Sequence, residues 1–491
     1  KITCDAKQLY SWAFMRDVRI KGKVSDIMIA GYILNPSAND YSPVRMAQEY
    51  GALCPEISEE NETALKAAAL KGAWEKVVKQ IEENDQLPLL YDIEMPLSKV
   101  LSSMEVTGFL VDRESIQQYG AVLEEKINSL VSEIYDLAGE EFNINSPKQL
   151  GTILFEKLGL PAKKKTKSGY STNADVLEGL APDYPIVSLI LEYRTLAKLK
   201  STYCDGLQKC IAPDGRIHST LNQTETKTGR ISSTEPNLQN IPVRTPVGRE
   251  LRKFFIAKEG CVLVDADYSQ IELRVLSDIA NDKTMISAFN NGDDIHTITA
   301  SQVFNMPVEA VTPLMRSRAK AVNFGIVYGI GAFSLAHDIG VTRAEADKYI
   351  KGYLHHFSGV NSYMKNVIAK AKEDGYVQTL FKRRRYLPEL AASNAMIRNF
   401  GERVARNMPI QGTAADIIKI AMVRVYDRLE KENLKSKLIM QIHDELIVEA
   451  PENEQVQVQK IIREEMENAC KMKVKLTADV HCGKSWYDAK G

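Results

Sequence analysis

Apolar residues recur at helical spacing through most of this 491-residue chain, and the stretches where that rhythm breaks mark its organisation. Before Pro96, short apolar runs such as Ile27–Ala30 accompany one helical stretch over 64–81. The pattern is amphipathic-helical over 98–106 and again over 113–137. A basic tip carrying Lys163, Lys164, Lys165 and Lys167 separates these from a further helical segment over 186–209. Between 215 and 255 the chain turns polar, rich in Thr, Asn, Gln, Arg and Pro, with little helix signal. A strand is expected at Cys261–Asp267, where Val262, Leu263 and Val264 lead into alternating aspartates. Helices are expected over 272–399 and again over 401–433. The last region reads as a hairpin, Lys437–Ile442 and Leu446–Ala450, joined by His443-Asp444-Glu445. Together these elements predict an α+β fold with helices around a small, largely antiparallel sheet.

Composition narrows this only a little. The chain is too long for one core, so two to four domains or subdomains are expected. It is 44% hydrophobic and 26% charged, with no apolar run long enough to span a bilayer. Seven scattered cysteines, none in a CxxC pair, suggest reduced thiols in a cytoplasm. The start lacks Met and a signal peptide and reads as part of something longer. Net charge is −1, but 143–256 holds 17 Lys/Arg against 10 Asp/Glu, while 1–96 holds 11 against 15. A basic middle on a neutral chain fits nucleic-acid binding along one surface, or simply a solvated basic face.

The chemistry-bearing positions are more specific. Asp267 closes the 261–267 strand and Asp444 sits in the hairpin turn. If those strands are neighbours, two carboxylates converge and can hold two hard cations that clamp attacking and leaving oxygens in phosphoryl transfer. Either aspartate alone would more often be structural, as turn aspartates commonly are, and Asp265, on the same strand face as Asp267, is an alternative ligand. After Val311, Thr312 and Pro313 suit a helix start, and Arg316, Lys320, Phe324 and Tyr328 then recur every four residues on one face. Cations lie toward the N-terminus, where the dipole favours a phosphate, and rings lie beyond them. An amphipathic helix with both rings in the core is the alternative.

Asp267-Tyr-Ser-Gln-Ile-Glu-Leu-Arg274, Arg316-x3-Lys320-x3-Phe324-Gly-x2-Tyr328-Gly and His443-Asp-Glu445 resemble the three signature motifs of family A DNA polymerases, in particular their large, Klenow-like fragment. Thr228-Gly-Arg-Ile-Ser-Ser233, Pro236–Arg244 and Asn407–Asp416 support the likeness, which runs in order from about Asp92 onward. The resemblance implies a right-hand architecture: thumb 92–210, palm 211–274 with 412–491, and fingers 275–411. It implies template-directed DNA synthesis in replication and repair, by a monomeric, cytoplasmic, nucleoid-associated bacterial enzyme. Its partners would be a primer–template duplex and deoxynucleoside triphosphates. Asp267 and Asp444, with the carbonyl of Tyr268, would hold two Mg²⁺, for which Mn²⁺ can substitute. Lys320 and Arg316 would neutralise the triphosphate, assisted by Gln270 and His296, while Glu272, Phe324 and Tyr328 would meet its sugar and base. Arg230, Asn237, Gln239, Asn240, Arg244, Arg403, Asn407, Gln411 and His443 would touch DNA, and the Lys163, Lys164, Lys165 and Lys167 tip would grip duplex phosphates.

The same resemblance makes 1–91 a truncated 3′→5′ exonuclease-like domain. Asp5 matches one of its metal-binding aspartates. Two metals need three or four carboxylates, so this domain is expected to be inactive. Asp92-Ile-Glu94 has the spelling of another exonuclease motif but falls at the opening of the thumb and is expected at the surface. A single-subunit RNA polymerase and a non-catalytic DNA-binding scaffold are the competing readings. Glu272, a barrier to a 2′-hydroxyl in the family, argues against the first, and the intact Asp267, Asp444, Lys320 and Arg316 argue against the second.

Overall fold

The computed structural model describes residues 1–53, 62–162, 165–166, 169–241 and 246–490. Its central sheet has four strands: β1 (Cys261–Tyr268), β2 (Lys437–Ile442), β3 (Glu445–Pro451) and β4 (Ala478–Gly483). They are ordered β2-β3-β1-β4, with antiparallel pairing throughout. The expected strand and hairpin are therefore present and adjacent. β1 and β3 are buried along nearly their whole length because helical elements cover both sheet faces, which explains their near-continuous apolar runs.

Alternation along β1 divides the interior. Val262, Val264 and Ala266 join one core that also takes in Ile417, Ala421 and Met422 of α6 (Ala395–Lys431). Leu263 joins a second core with Ile439, Ile447, Phe109, Phe255 and Trp486. A third core, built on Ile27, Tyr32, Trp74 and Val77, belongs to the first ninety-five residues. The helices read from periodicity appear as α1 (Met95–Thr107) and α2 (Arg113–Ala138), and after the sheet come α3 (Ile271–Ile279), α4 (Ile295–Phe304) and α5 (Pro313–Val327).

Three expectations are corrected. The helix break near residue 400 does not exist, since α6 runs unbroken through Gly401 and Pro409. Gly401 serves close packing instead: a Cβ there would meet the Leu390 backbone nitrogen at 3.2 Å. Within 272–399, where helices are expected to dominate, Tyr376–Gln378 and Arg384–Tyr386 form an antiparallel strand pair. Third, only Asp92 of Asp92-Ile-Glu94 is at the surface. Glu94 is fully buried, accepting from Arg383, from Lys419 Nζ at 2.7 Å and from Gln223 Nε2 at 2.5 Å. Arg383 also donates to Asp416 Oδ1, from Nε at 2.9 Å and Nη2 at 2.6 Å. Two acids and two bases thus balance inside a junction that Tyr32 also touches, with the Arg383 guanidinium 5.8 Å from its ring.

Candidate active site

β1 and β3 bring the two predicted aspartates to one end of the sheet. In the antiparallel register Asp267 lies opposite Glu445 on one side and Asp479 on the other. His443 adopts φ 52°, turning the hairpin tightly, and the Tyr268 N–H then donates to the Asp444 carbonyl at 3.1 Å. Asp267 and Asp444 line one cavity of 540 Å³ with Arg249, Arg252, His443, Tyr487 and Lys490. Burial, then the nearby Glu272 and Asp267 carboxylates, push the Asp444 carboxyl up to about 7, with Arg230 and Lys490 opposing. A carboxylate pair under such crowding is completed by cations, and its hard oxygen donors fit Mg²⁺ or Mn²⁺. One cation already stands there: Lys490 Nζ lies 2.9 Å from Asp267 Oδ2. Among the described residues no group of three or more His, Cys, Asp or Glu could hold a metal, so further ligands would have to come from the backbone or the substrate.

Asp265, the alternative ligand, sits deeper in the sheet than Asp267. It is 2% exposed behind Glu445, one carboxyl oxygen lacks a hydrogen-bond partner, and burial with the Glu445 charge pushes it up to about 10. The Tyr268 ring points into the core, where its hydroxyl donates to the Met466 carbonyl at 2.7 Å. That leaves only its backbone for the site. Gln270 takes φ 55° at the N-terminus of α3, with its side-chain oxygen buried and unpartnered.

α5 forms the opposing wall. Thr312 Oγ1 accepts from the Met315 N–H at 3.3 Å and Pro313 occupies the first turn, as its start signal predicts. Lys320, Phe324 and Tyr328 line a 1050 Å³ cavity together with Arg403 of α6. Tyr328 is 46% exposed, which excludes the core-ring alternative for that residue. Arg316, at the same spacing, is not part of this lining; its Nε lies 2.5 Å from Asp294 Oδ2. His296 is buried beside Phe324, with ring centroids 5.9 Å apart, and burial lowers it to about 4, which keeps it neutral near pH 7. Its Nδ1 meets Asn323 Nδ2 at 2.9 Å, a partner that the four-residue spacing did not single out because Asn323 lies off that series, on the buried flank of α5.

The two walls are joined by Glu272. It is 5% exposed and accepts from Arg230 Nη2 at 2.8 Å and from the Tyr328 hydroxyl at 3.0 Å. Arg230, Gln239, Asn240, His443 and Asp444 share a 190 Å³ cleft. Asn237 is exposed and accepts from Ser233 Oγ at 3.1 Å. Asn407 Nδ2 reaches the Val327 carbonyl at 3.4 Å, and Gln411 is half-buried one turn further along α6. Arg244, Lys163, Lys164 and Lys167 lie outside the described residues, and of Lys165 only the backbone is described, pairing with Tyr170. Sequence reasoning named Glu445 within its motif without giving it a role, and missed Trp486 and Lys490 because the tail carries no spacing signal.

The family model for "DNA polymerase family A" matches residues 113–488. DNA polymerase I of Caldicellulosiruptor bescii is 47% identical over 491 residues, covering 100% of this chain and 58% of that protein. DNA polymerase I of Geobacillus stearothermophilus is 47% identical over 509 aligned residues, again covering 100% of this chain and 58% of its own length. The chain thus spans a little over half the length of these relatives. Among solved structures, the POL domain of Pol1 from M. smegmatis in complex with DNA primer-template and dNTP has a TM-score of 0.94 and 39% identity, covering 100% of this chain and 87% of that one.

Proposed function

Since the chain belongs to DNA polymerase family A, we propose that it extends a primer along a template by adding deoxynucleoside triphosphates. The observation that carries this is the convergence of Asp267 and Asp444 at one sheet end, joined through Glu272 to the Tyr328 end of the α5 face. The primer 3′-hydroxyl gives up its proton to solvent and its oxygen bonds to the α-phosphorus, while the bond to the bridging oxygen breaks and pyrophosphate leaves. Asp267 and Asp444, with the Tyr268 carbonyl, would hold two Mg²⁺ or Mn²⁺, which when bound stabilise charge on the attacking and leaving oxygens. Lys320 neutralises the triphosphate and donates a proton to the leaving pyrophosphate. Arg316 exchanges Asp294 for phosphate oxygens, and the neutral His296 can add a hydrogen bond without charge.

Glu272 and Tyr328, fastened to each other and to Arg230, form a floor that excludes a 2′-hydroxyl. Arg230, Asn407, Gln411 and Arg403 contact the minor-groove side of the new pair. Acceptors there are similar for every correct pair, so such contacts check shape and not sequence. In this reading 92–210 is a thumb, 211–274 with 412–491 a palm, and 275–411 the fingers. The segment 1–91 is an exonuclease-like unit in which Asp5 caps a helix by accepting from the Gln8 N–H at 2.8 Å. The protein works as a monomer on nucleoid DNA in bacterial replication and repair. Among the described residues no helix is long and apolar enough to cross a membrane.

Primer extension with separate dNTP and NTP lanes tests the proposal. Wild type should extend with dNTPs only. Asp267→Ala and Asp444→Ala should each retain less than about a hundredth of the rate while still binding duplex. Higher retention, or extension with NTPs alone, would refute it.

A further inference from the structure

The last described helix, Trp486–Ala489, delivers a lysine to the carboxylate pair, and nothing in the reaction above uses it. The helix is anchored through Trp486. Trp486 is 1% exposed, its ring lies 5.7 Å from that of Phe255, and the Arg252 guanidinium covers it at 4.6 Å. Ser485 caps the helix by accepting from the Asp488 N–H at 3.2 Å. From this anchor Trp486 Nε1 donates to Glu445 Oε1 at 2.6 Å, while Lys490 Nζ donates to Glu445 Oε2 and, at 2.9 Å, to Asp267 Oδ2. Glu445 and Asp267 lie directly opposite each other in the sheet register, so one ammonium bridges a cross-strand pair of like charges.

We propose that Lys490 is a positioning residue that holds Asp267 in the place of a cation and yields it to a divalent ion, so that the Trp486–Lys490 segment sets the metal affinity of the site. This rests on the assignment of Asp267 as a metal ligand. Glu445 retains the ammonium after Asp267 is released, so the lysine stays at hand and Asp267 returns to the same rotamer when the metal departs. Arg230, the other cation nearby, is turned to Glu272.

The test is Mn²⁺ binding to the full chain by electron paramagnetic resonance, without DNA or nucleotide. Lys490→Met should bind the first Mn²⁺ about fivefold more tightly than wild type, the change expected of a partly exposed ion pair that no longer competes. Lys490→Arg, which keeps the charge, should stay within about twofold of wild type. The Mg²⁺ half-saturation of primer extension should fall in Lys490→Met with the KM for dNTP unchanged. Unaltered Mn²⁺ affinity in Lys490→Met overturns the inference, as does an equal shift in Lys490→Arg, which would make packing and not charge the cause. Wild-type Mn²⁺ affinity in Asp267→Ala would instead overturn the metal assignment beneath it.

Discussion

Lys419→Met removes one ammonium from the buried cluster of Glu94, Arg383, Asp416 and Lys419 while keeping nearly the same volume. All four side chains are at most 1% exposed, so no solvent can replace the lost partner. Glu94 keeps Arg383 and Gln223, but the cluster changes from balanced to one uncompensated negative charge. Breaking a buried pair from one side costs about 3–5 kcal/mol. Glu94→Gln in the same molecule restores neutrality and should recover a large part of that loss, giving a coupling of about 2 kcal/mol between the two sites. The assay is urea unfolding followed by tryptophan fluorescence, with Trp74 and Trp486 reporting from different cores. The pH dependence carries the same information. Burial alone would raise Glu94, but Lys419, Arg383 and Gln223 bring it down to about 2. Its stabilising contribution is therefore complete above the unfolded value of about 4.3 and is lost as pH falls toward 2. Lys419→Met should flatten that acid limb. A loss under about 1 kcal/mol for Lys419→Met, or strict additivity in the double variant, would refute the charge-balance argument.

Three further outcomes concern selectivity and the N-terminal unit. Phe324→Tyr should largely remove discrimination against dideoxynucleotides, because Phe324 itself offers no hydroxyl to replace a missing 3′-hydroxyl. Glu272→Ala should raise ribonucleotide incorporation at some cost in rate, since it also frees Arg230 and Tyr328. Single-nucleotide incorporation with dNTP, NTP and ddNTP checks both, and an exchange of the two phenotypes would refute the assignment of these residues to opposite sides of the sugar. Finally, no magnesium-dependent 3′→5′ degradation of single-stranded DNA is expected. Degradation that survives repurification and vanishes in Asp5→Ala would show that the N-terminal unit is catalytic.

Local periodicity and residue chemistry were enough to read much of this protein from its sequence. The four-residue spacing of Lys320, Phe324 and Tyr328 is a property of any helix, and α5 with its C-cap residue Tyr328 places all three on one cavity as that spacing requires. The apolar runs flanking Asp267 and Asp444 specify strands by β-propensity and alternation alone, and adjacency of the strands then brings the aspartates together. What spacing could not carry was which of several equivalent positions would be covered. Asp265 and Asp267 share a strand face and a residue type. Asp265 is buried behind Glu445, deeper in the sheet on the face that Trp486 covers, and Asp267 stays open at the strand end. Arg316 fits the helical spacing as well as Lys320 does, yet Asp294, brought alongside by α4, claims it. Glu94 reads locally as a surface acid, and becomes interior only because Arg383 and Lys419, from distant parts of the chain, pack onto it and compensate its desolvation. Gly401 interrupts the helical pattern on paper, while the contact with Leu390 turns the missing side chain into a packing requirement. Charge burial and close approach are properties of pairs of elements, and a linear pattern records only one member of each pair.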